Sequence, residues 1–115
     1  MSPETGYRKG RRAEILAAWY LRFKGYHILA MRYKTRVGEI DLIARRGGSI
    51  VFTEVKWRTA RLSAMEAIHQ DNQTRVRRAA ELYLQKHPRY TGHAKRFDAL
   101  VFAPGQWPLH IKNAF

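Results

Sequence analysis

The chain has 115 residues, 45% of them hydrophobic, which suffices for one compact core and leads us to expect a single domain over residues 1–115. The absence of cysteine excludes disulfides, thiolate zinc sites and thiol nucleophiles, and fits a cytoplasmic protein. Twenty-two Lys and Arg against nine Asp and Glu give a formal charge of +13, which points to a polyanionic partner, nucleic acid ahead of an anionic membrane.

Residues 10–24 read as a first helix, ended by Gly25, with Leu16, Trp19, Tyr20 and Phe23 at the three-and-four spacing of a buried stripe. Glu14 shares a different stripe with Ala17, Ala18 and Leu21, small residues that let a helix approach a sheet closely. A solvated Glu14 paired with Arg11 or Arg22 is the equally weighted alternative. The apolar run 15–21 is short and flanked by Glu14 and Arg22, so it cannot span a bilayer, and a soluble protein without a membrane partner is expected. Strands follow over 26–32, 39–44 and 49–57, a β-meander in which the glycine pair Gly47-Gly48 supplies the positive backbone angles of a tight antiparallel reversal.

Ser63-Ala64-Met65-Glu66 has the form of a capping box, and Asp71 with Thr74 can restart a helix, so one broken helix or two short ones cover about 64–86 and end near Pro88. Val76, Ala79, Ala80, Tyr83 and Leu84 form its buried stripe. Gln73 lies one turn before Val76, whereas Arg75, Arg77 and Arg78 sit on other faces, where they either reach phosphates or form a solvated basic surface. Residues 97–102 then read as a strand, 103–105 as a turn and 109–111 as a short last strand. The order is αβββαβ with a small β addition, an α/β domain whose mixed sheet is covered by helices on both faces.

The chemistry concentrates on the meander. Glu39 and Asp41 are two apart on the second strand, as are Glu54 and Lys56 on the third, so each pair shares a face, and the hairpin brings Asp41 near Glu54. Carboxylates gathered on an apolar sheet must take up a proton, find basic partners or bind a cation, and all-oxygen ligation suits Mg2+ or Mn2+. Glu39 is expected to pair with Arg32, Arg36 or Arg58 rather than to touch a metal. His27, His69, His87, His93 and His110 lack close metal-ligand spacing and are expected to be solvated or hydrogen-bonded. Tyr33, Trp57 and Arg58 either contact nucleic acid at the rim or pack there.

The succession Gly10-x-x-Ala13-Glu14, Gly38-Glu39-Ile40-Asp41-Leu42-Ile43-Ala44, Val51-Phe52-Thr53-Glu54-Val55-Lys56-Trp57-Arg58, the helix end 77–84 and Arg96-Phe97-Asp98 resembles the YraN-like uncharacterised bacterial family over nearly the whole chain. That family is similar to the PD-(D/E)XK nuclease superfamily, especially archaeal Holliday-junction resolvases with their αβββαβ, restriction-endonuclease-like core. The resemblance implies that Asp41 and Glu54 ligate metal, that Lys56 is the catalytic lysine, and that Glu14 is the first-helix acid such resolvases also use. Gln73 resembles the helix glutamine found near the site in several branches. The sequence departs from the pattern at Asn72, where a lysine often precedes that glutamine, and at Met31, where an asparagine often precedes Arg-Tyr.

Lys56 either orients or deprotonates the attacking water or stabilises the charge gathering on the phosphate; a bare salt bridge to Glu54 or Glu39 is the structural alternative. The leading expectation is a Mg2+- or Mn2+-dependent endonuclease acting on DNA, with branched or structured DNA implied by the resolvases. The alternative is a nucleic-acid-binding module, for DNA or RNA, that keeps the fold without turnover. A homodimer is consistent with the first, because cutting two strands symmetrically takes two sites about a twofold axis.

Overall fold

The computed structural model describes residues 3–58 and 73–115; the expected capping box at 63–66, the helix restart at Asp71, His69 and Asn72 lie outside them. Its elements are α1 (Pro3–Phe23), β1 (His27–Lys34), β2 (Glu39–Arg46), β3 (Ser49–Trp57), α2 (Gln73–Lys86), a 3-10 turn (Pro88–Tyr90), β4 (Ala94–Phe102) and β5 (Leu109–Ile111). The strands form one mixed sheet in the order β1-β2-β3-β4-β5. Neighbours are antiparallel except β3 and β4, which run parallel and are joined by the crossover carrying α2.

Each boundary has a local cause. Gly25, at φ +91, closes α1 in a Schellman motif: its amide donates to the Arg22 carbonyl, and the Tyr26 amide reaches back 2.9 Å to the Leu21 carbonyl. The β2–β3 reversal is the two-residue turn Gly47-Gly48, with Arg46 facing Ser49 and Gly47 at φ +56. The β1–β2 turn is built around Thr35, whose hydroxyl donates to the Gly38 carbonyl and accepts from the amides of Val37 and Gly38. Helix α2 stops at Lys86, ahead of Pro88, and His87 Nδ1 donates to the Tyr83 carbonyl over its last turn.

The two faces of the sheet carry separate cores. Ala13, Ala17, Ala18 and Leu21 of α1 pack on Leu42, Ala44, Val51, Leu100 and Phe102. Val76, Ala79, Ala80 and Tyr83 of α2 pack on Ile40, Ile43, Ile50 and Phe52, with Leu84 partly buried against them, as the α2 periodicity predicts. Helix α1 corrects the sequence reading. Its expected stripe faces outward, with Leu16 50%, Trp19 64% and Phe23 92% exposed, and only Tyr20 of that set packs partly inward. The Ala-rich stripe is buried instead, because small side chains let the helix lie close to the sheet while bulky ones would hold it away. Glu14, which adjoins that stripe, is thereby carried to the sheet.

Helix α2 approaches the β1–β2 turn so closely that a Cβ on Gly38 would lie 1.9 Å from the Arg75 carbonyl oxygen and 2.5 Å from its carbon. Backbone cannot give way as a side chain does. Gly38→Ala is therefore expected to cost about 2–3 kcal/mol and to lower the melting temperature by roughly 10 °C. Gly48→Ala, where nothing lies within 4 Å of the added carbon, is the near-neutral control in the same melting experiment.

On the α1 face, away from the meander's acids, Asp98 is fully buried and saturated with partners. Arg96 Nε donates to both of its oxygens at 2.9 and 3.1 Å, His110 Nε2 lies 2.7 Å from Oδ2, and the Asn113 amide reaches Oδ1 at 3.1 Å. Lys24 Nζ stands 2.7 Å from His110 Nδ1, so lysine donates to that nitrogen and the imidazole keeps its proton on Nε2 for Asp98. This network ties the end of α1 to β4, β5 and the C-terminal segment. It also shows the Arg96-Phe97-Asp98 motif to be structural, and His110 to be hydrogen-bonded as expected.

Candidate active site

The site is made by a fork between β2 and β3. Their pairing runs from Arg46↔Ser49 to Leu42↔Thr53, whereas β3 stays paired with β4 as far as Trp57↔Phe102. Beyond Thr53 the Val55 amide, on the β2 side of β3, is met by a side chain: Asp41 Oδ2 accepts its hydrogen bond at 2.8 Å. Asp41 thus bridges the fork, one residue past the last paired position.

The local backbone is irregular at the same place. Arg32 lies between Met31, which pairs with Leu42, and Tyr33, which pairs with Ile40, so it stands across from Asp41. Its φ is +51, a left-handed conformation that non-glycine residues adopt at a cost and that recurs at functional sites. In β2, Ile40 joins the α2-side core while Leu42 joins the α1-side core, although residues two apart on a regular strand share a face. The alternation breaks at Asp41, which frees its side chain from both cores.

Three further charged groups converge there. Glu54, 8% exposed, holds Lys56 Nζ at 2.7 Å on the same face of β3. Glu14 arrives from α1 and pairs with Arg32 at 2.5 Å. A cavity of about 180 Å³ is lined by Glu14, Arg32, Lys34, Glu39, Ile40 and Asp41. Burial pushes the Asp41 carboxyl up to about 6 from an ordinary 3.8; the Val55 amide and Lys56 oppose the rise, while the charges of Glu14 and Glu54 add to it.

The charges of Glu14, Glu54 and Lys56 therefore all act on Asp41, although Glu54 and Lys56 do not line the cavity. Among the described residues, no three His, Asp or Glu side chains form a ready-made metal cage, and Glu14 and Glu54 are each paired with a cation. The donor chemistry nonetheless fits a divalent cation: a reluctantly ionised carboxylate with two more carboxylates acting on it is the environment that a hard, oxygen-seeking ion relieves. Glu39 departs from expectation. It is exposed on the cavity wall and makes no ion pair among the described residues, since Arg32 turns to Glu14 and Arg58 Nη1 donates to the Trp57 carbonyl.

The expected nucleic-acid contacts are scattered. Gln73 opens α2 and is half-buried; the Arg75 backbone abuts Gly38; Arg78 is exposed; and Arg77 lies over the Phe97 ring at 4.5 Å, on β4. None of Arg58, Arg75, Arg77 and Arg78 lines the cavity. The sequence reading missed Lys34 altogether, and placed Arg32 beside Glu39 rather than beside Glu14. Their signal was available: two cations, two apart, on a strand that must pair with the one carrying Glu39 and Asp41.

Fold and site together define a mixed-sheet α/β protein with a charged cavity between α1, β1 and β2, beside the point where β2 and β3 part, set in a strongly basic chain. The chain belongs to the uncharacterised protein family UPF0102, the YraN-like proteins, whose model matches residues 13–102. It is similar to a UPF0102 protein of Mesorhizobium japonicum, at 48% identity over 114 residues, covering 99% of this chain and 91% of the other. It is likewise 47% identical to UPF0102 proteins of Bartonella tribocorum, covering 97% of this chain and 86% of that one, and of Chelativorans sp., covering 100% and 93%. Among the described residues, no helix is long and apolar enough to cross a membrane.

Proposed function

We propose that this protein is a metal-dependent endonuclease that hydrolyses phosphodiester bonds in DNA, branched or structured DNA included. The observation that carries the reading is Asp41: a carboxylate at a strand fork, its proton held to about pH 6, with Glu14, Glu54 and Lys56 all acting on it. The element order αβββαβ fits a restriction-endonuclease-like core, and the +13 charge suits a polyanionic substrate.

Asp41 and Glu54 would hold Mg2+ or Mn2+, with Glu14 and the Val55 carbonyl as further donors. A bound ion of this kind supplies Lewis acidity and lowers the pKa of its water. Lys56 stands beside Glu54 as an ammonium able to orient that water or to neutralise charge building on the phosphate. Arg32 and Lys56 meanwhile act as counter-ions to Glu14 and Glu54, offsetting the two negative charges that face Asp41.

The test is cleavage of labelled duplex, single-stranded and four-way-junction DNA in Mg2+ or Mn2+, with an EDTA control and with Glu54→Ala. Cleavage that disappears on both chelation and substitution, in a variant whose circular dichroism is unchanged, is the expected result. A folded wild-type protein that cuts none of these substrates with either ion rejects the nuclease and favours a binding module.

A further inference from the structure

Five of the six large apolar side chains exposed among the described residues sit together on the outer face of α1 and the adjoining edge strand: Ile15 42%, Leu16 50%, Trp19 64%, Phe23 92% and Met31 40%. Singly such residues need no explanation, but a contiguous group marks a binding surface. Cations are interleaved with them. Arg11 and Arg22 are exposed on the same helix, and the Arg22 guanidinium lies over the Trp19 ring at 5.0 Å.

This face runs into the acidic site. A second hollow of about 260 Å³, lined by Arg11, Glu14, Ile15, Met31 and Arg32, adjoins the first cavity and shares with it Glu14 and Arg32. From this hollow, Ile15, Trp19 and Phe23 follow one another at four-residue steps along α1, spanning about 12 Å.

We propose that the outer face of α1 is a track for a single nucleic-acid strand, whose bases stack on Trp19 and Phe23 and lodge against Ile15 and Met31, and whose phosphates meet Arg11 and Arg22. Aromatic platforms alternating with cations are the general solution for holding an unpaired strand, because every base has a π face and every nucleotide a charge. A duplex presents its bases already stacked and cannot use those rings. The basic flanks argue against a second copy as the occupant, since antiparallel pairing of two α1 helices would set Arg11 and Arg22 of two +13 chains against each other. The inference rests on the nucleic-acid part of the proposed function and specifies it: the strand delivered to Asp41 is unpaired beside the position that is cut.

Binding is read in EDTA, so that it does not depend on cleavage, by fluorescence anisotropy of a labelled oligothymidylate of about 20 nucleotides and of a duplex of equal length. The double variant Trp19→Ala, Phe23→Ala is expected to lose about ten- to a hundredfold in single-strand affinity with little change for duplex, and Trp19→Phe to retain most of it. Arg11→Gln with Arg22→Gln should reduce the salt slope of single-strand binding by about 1 to 2. The substituted side chains are exposed, so unchanged circular dichroism and melting are expected. Equal single-strand affinity in wild type and the aromatic double variant overturns the track. A wild-type dimer that this variant converts to monomer in sedimentation, with single-strand affinity intact, also overturns it and gives the face to a second copy. A protein that never cuts DNA yet binds the single strand through Trp19 and Phe23 loses the proposed hydrolysis but keeps the track.

Discussion

Asp41→Asn is expected to make the protein more stable at pH 7.5 while lowering cleavage by about a hundred- to a thousandfold. The stability gain follows from proton linkage. The folded state keeps the Asp41 proton to about pH 6, whereas the ordinary carboxyl value is 3.8, so between these values the unfolded chain binds fewer protons and stability falls as pH rises. Above pH 6 the full burden is present, on the order of 3 kcal/mol as an upper limit. Asparagine removes the charge and keeps a carbonyl oxygen for the Val55 amide. A gain of about 1–2 kcal/mol, or several degrees in melting temperature, is expected at pH 7.5, shrinking towards zero near pH 4. Mg2+ should raise the melting temperature of the wild type at neutral pH, as any ligand of the native state does, and should do so much less in Asp41→Asn. Melting curves of both proteins from pH 4 to 8, with and without Mg2+, decide the matter. A variant less stable than wild type above pH 6 would mean that the ionised carboxylate makes a bond to the Val55 amide that asparagine does not replace, and that Asp41 is structural.

The opposite sign is expected at Asp98. Asp98→Ala removes the acceptor for Arg96, His110 and the Asn113 amide at once and leaves a guanidinium partly buried without its carboxylate. Breaking one side of a buried charge network costs about 3–5 kcal/mol. Burial by itself pushes the Asp98 carboxyl up, but the hydrogen bonds from His110, Arg96 and the Asn113 amide outweigh it and hold the group below its ordinary value. The folded state therefore binds the Asp98 proton less readily than the unfolded chain, and the network's contribution is full above the ordinary carboxyl value of 3.8 and lost as pH falls through the depressed one. Urea unfolding at pH 7 should show the loss, and the gap between wild type and variant should narrow as pH drops below the usual carboxylate range. A variant within about 1 kcal/mol of wild type at pH 7 would show that Arg96 and His110 regain water on losing their partner.

Asp41 and Asp98 thus oppose each other in pH: one destabilises the fold when ionised, the other sustains it. That contrast separates them more sharply than their motifs do, since both lie in runs that resemble the family pattern. A carboxylate given a complete set of donors is held for structure. One given a single amide and a lysine against burial and two like charges ionises reluctantly.

Much of this was legible in the chain. The two-residue Gly47-Gly48 reversal sets a register in which Leu42 faces Thr53, which puts Asp41 and Glu54 next along the hairpin, although the strands part there and Asp41 meets the Val55 amide instead. The small-residue stripe of α1 was visible beside Glu14, and Val76, Ala79, Ala80 and Tyr83 announced the buried face of α2 by period alone. The tertiary structure decided what two equal local patterns could not. Helix α1 is apolar on more than one side, and the sheet selects Ala13, Ala17 and Ala18 over Trp19 and Phe23 because close approach buries more than bulk held at a distance. The pairing of Glu14 with Arg32, the matched break at Arg32 and Asp41, and the backbone contact of Gly38 with Arg75 arise between segments remote in sequence, where spacing carries no information. Sequence by itself determined which charges share a strand; only the packing of helix and turn against the sheet decided which of them face one another, because that depends on how near two backbones can come.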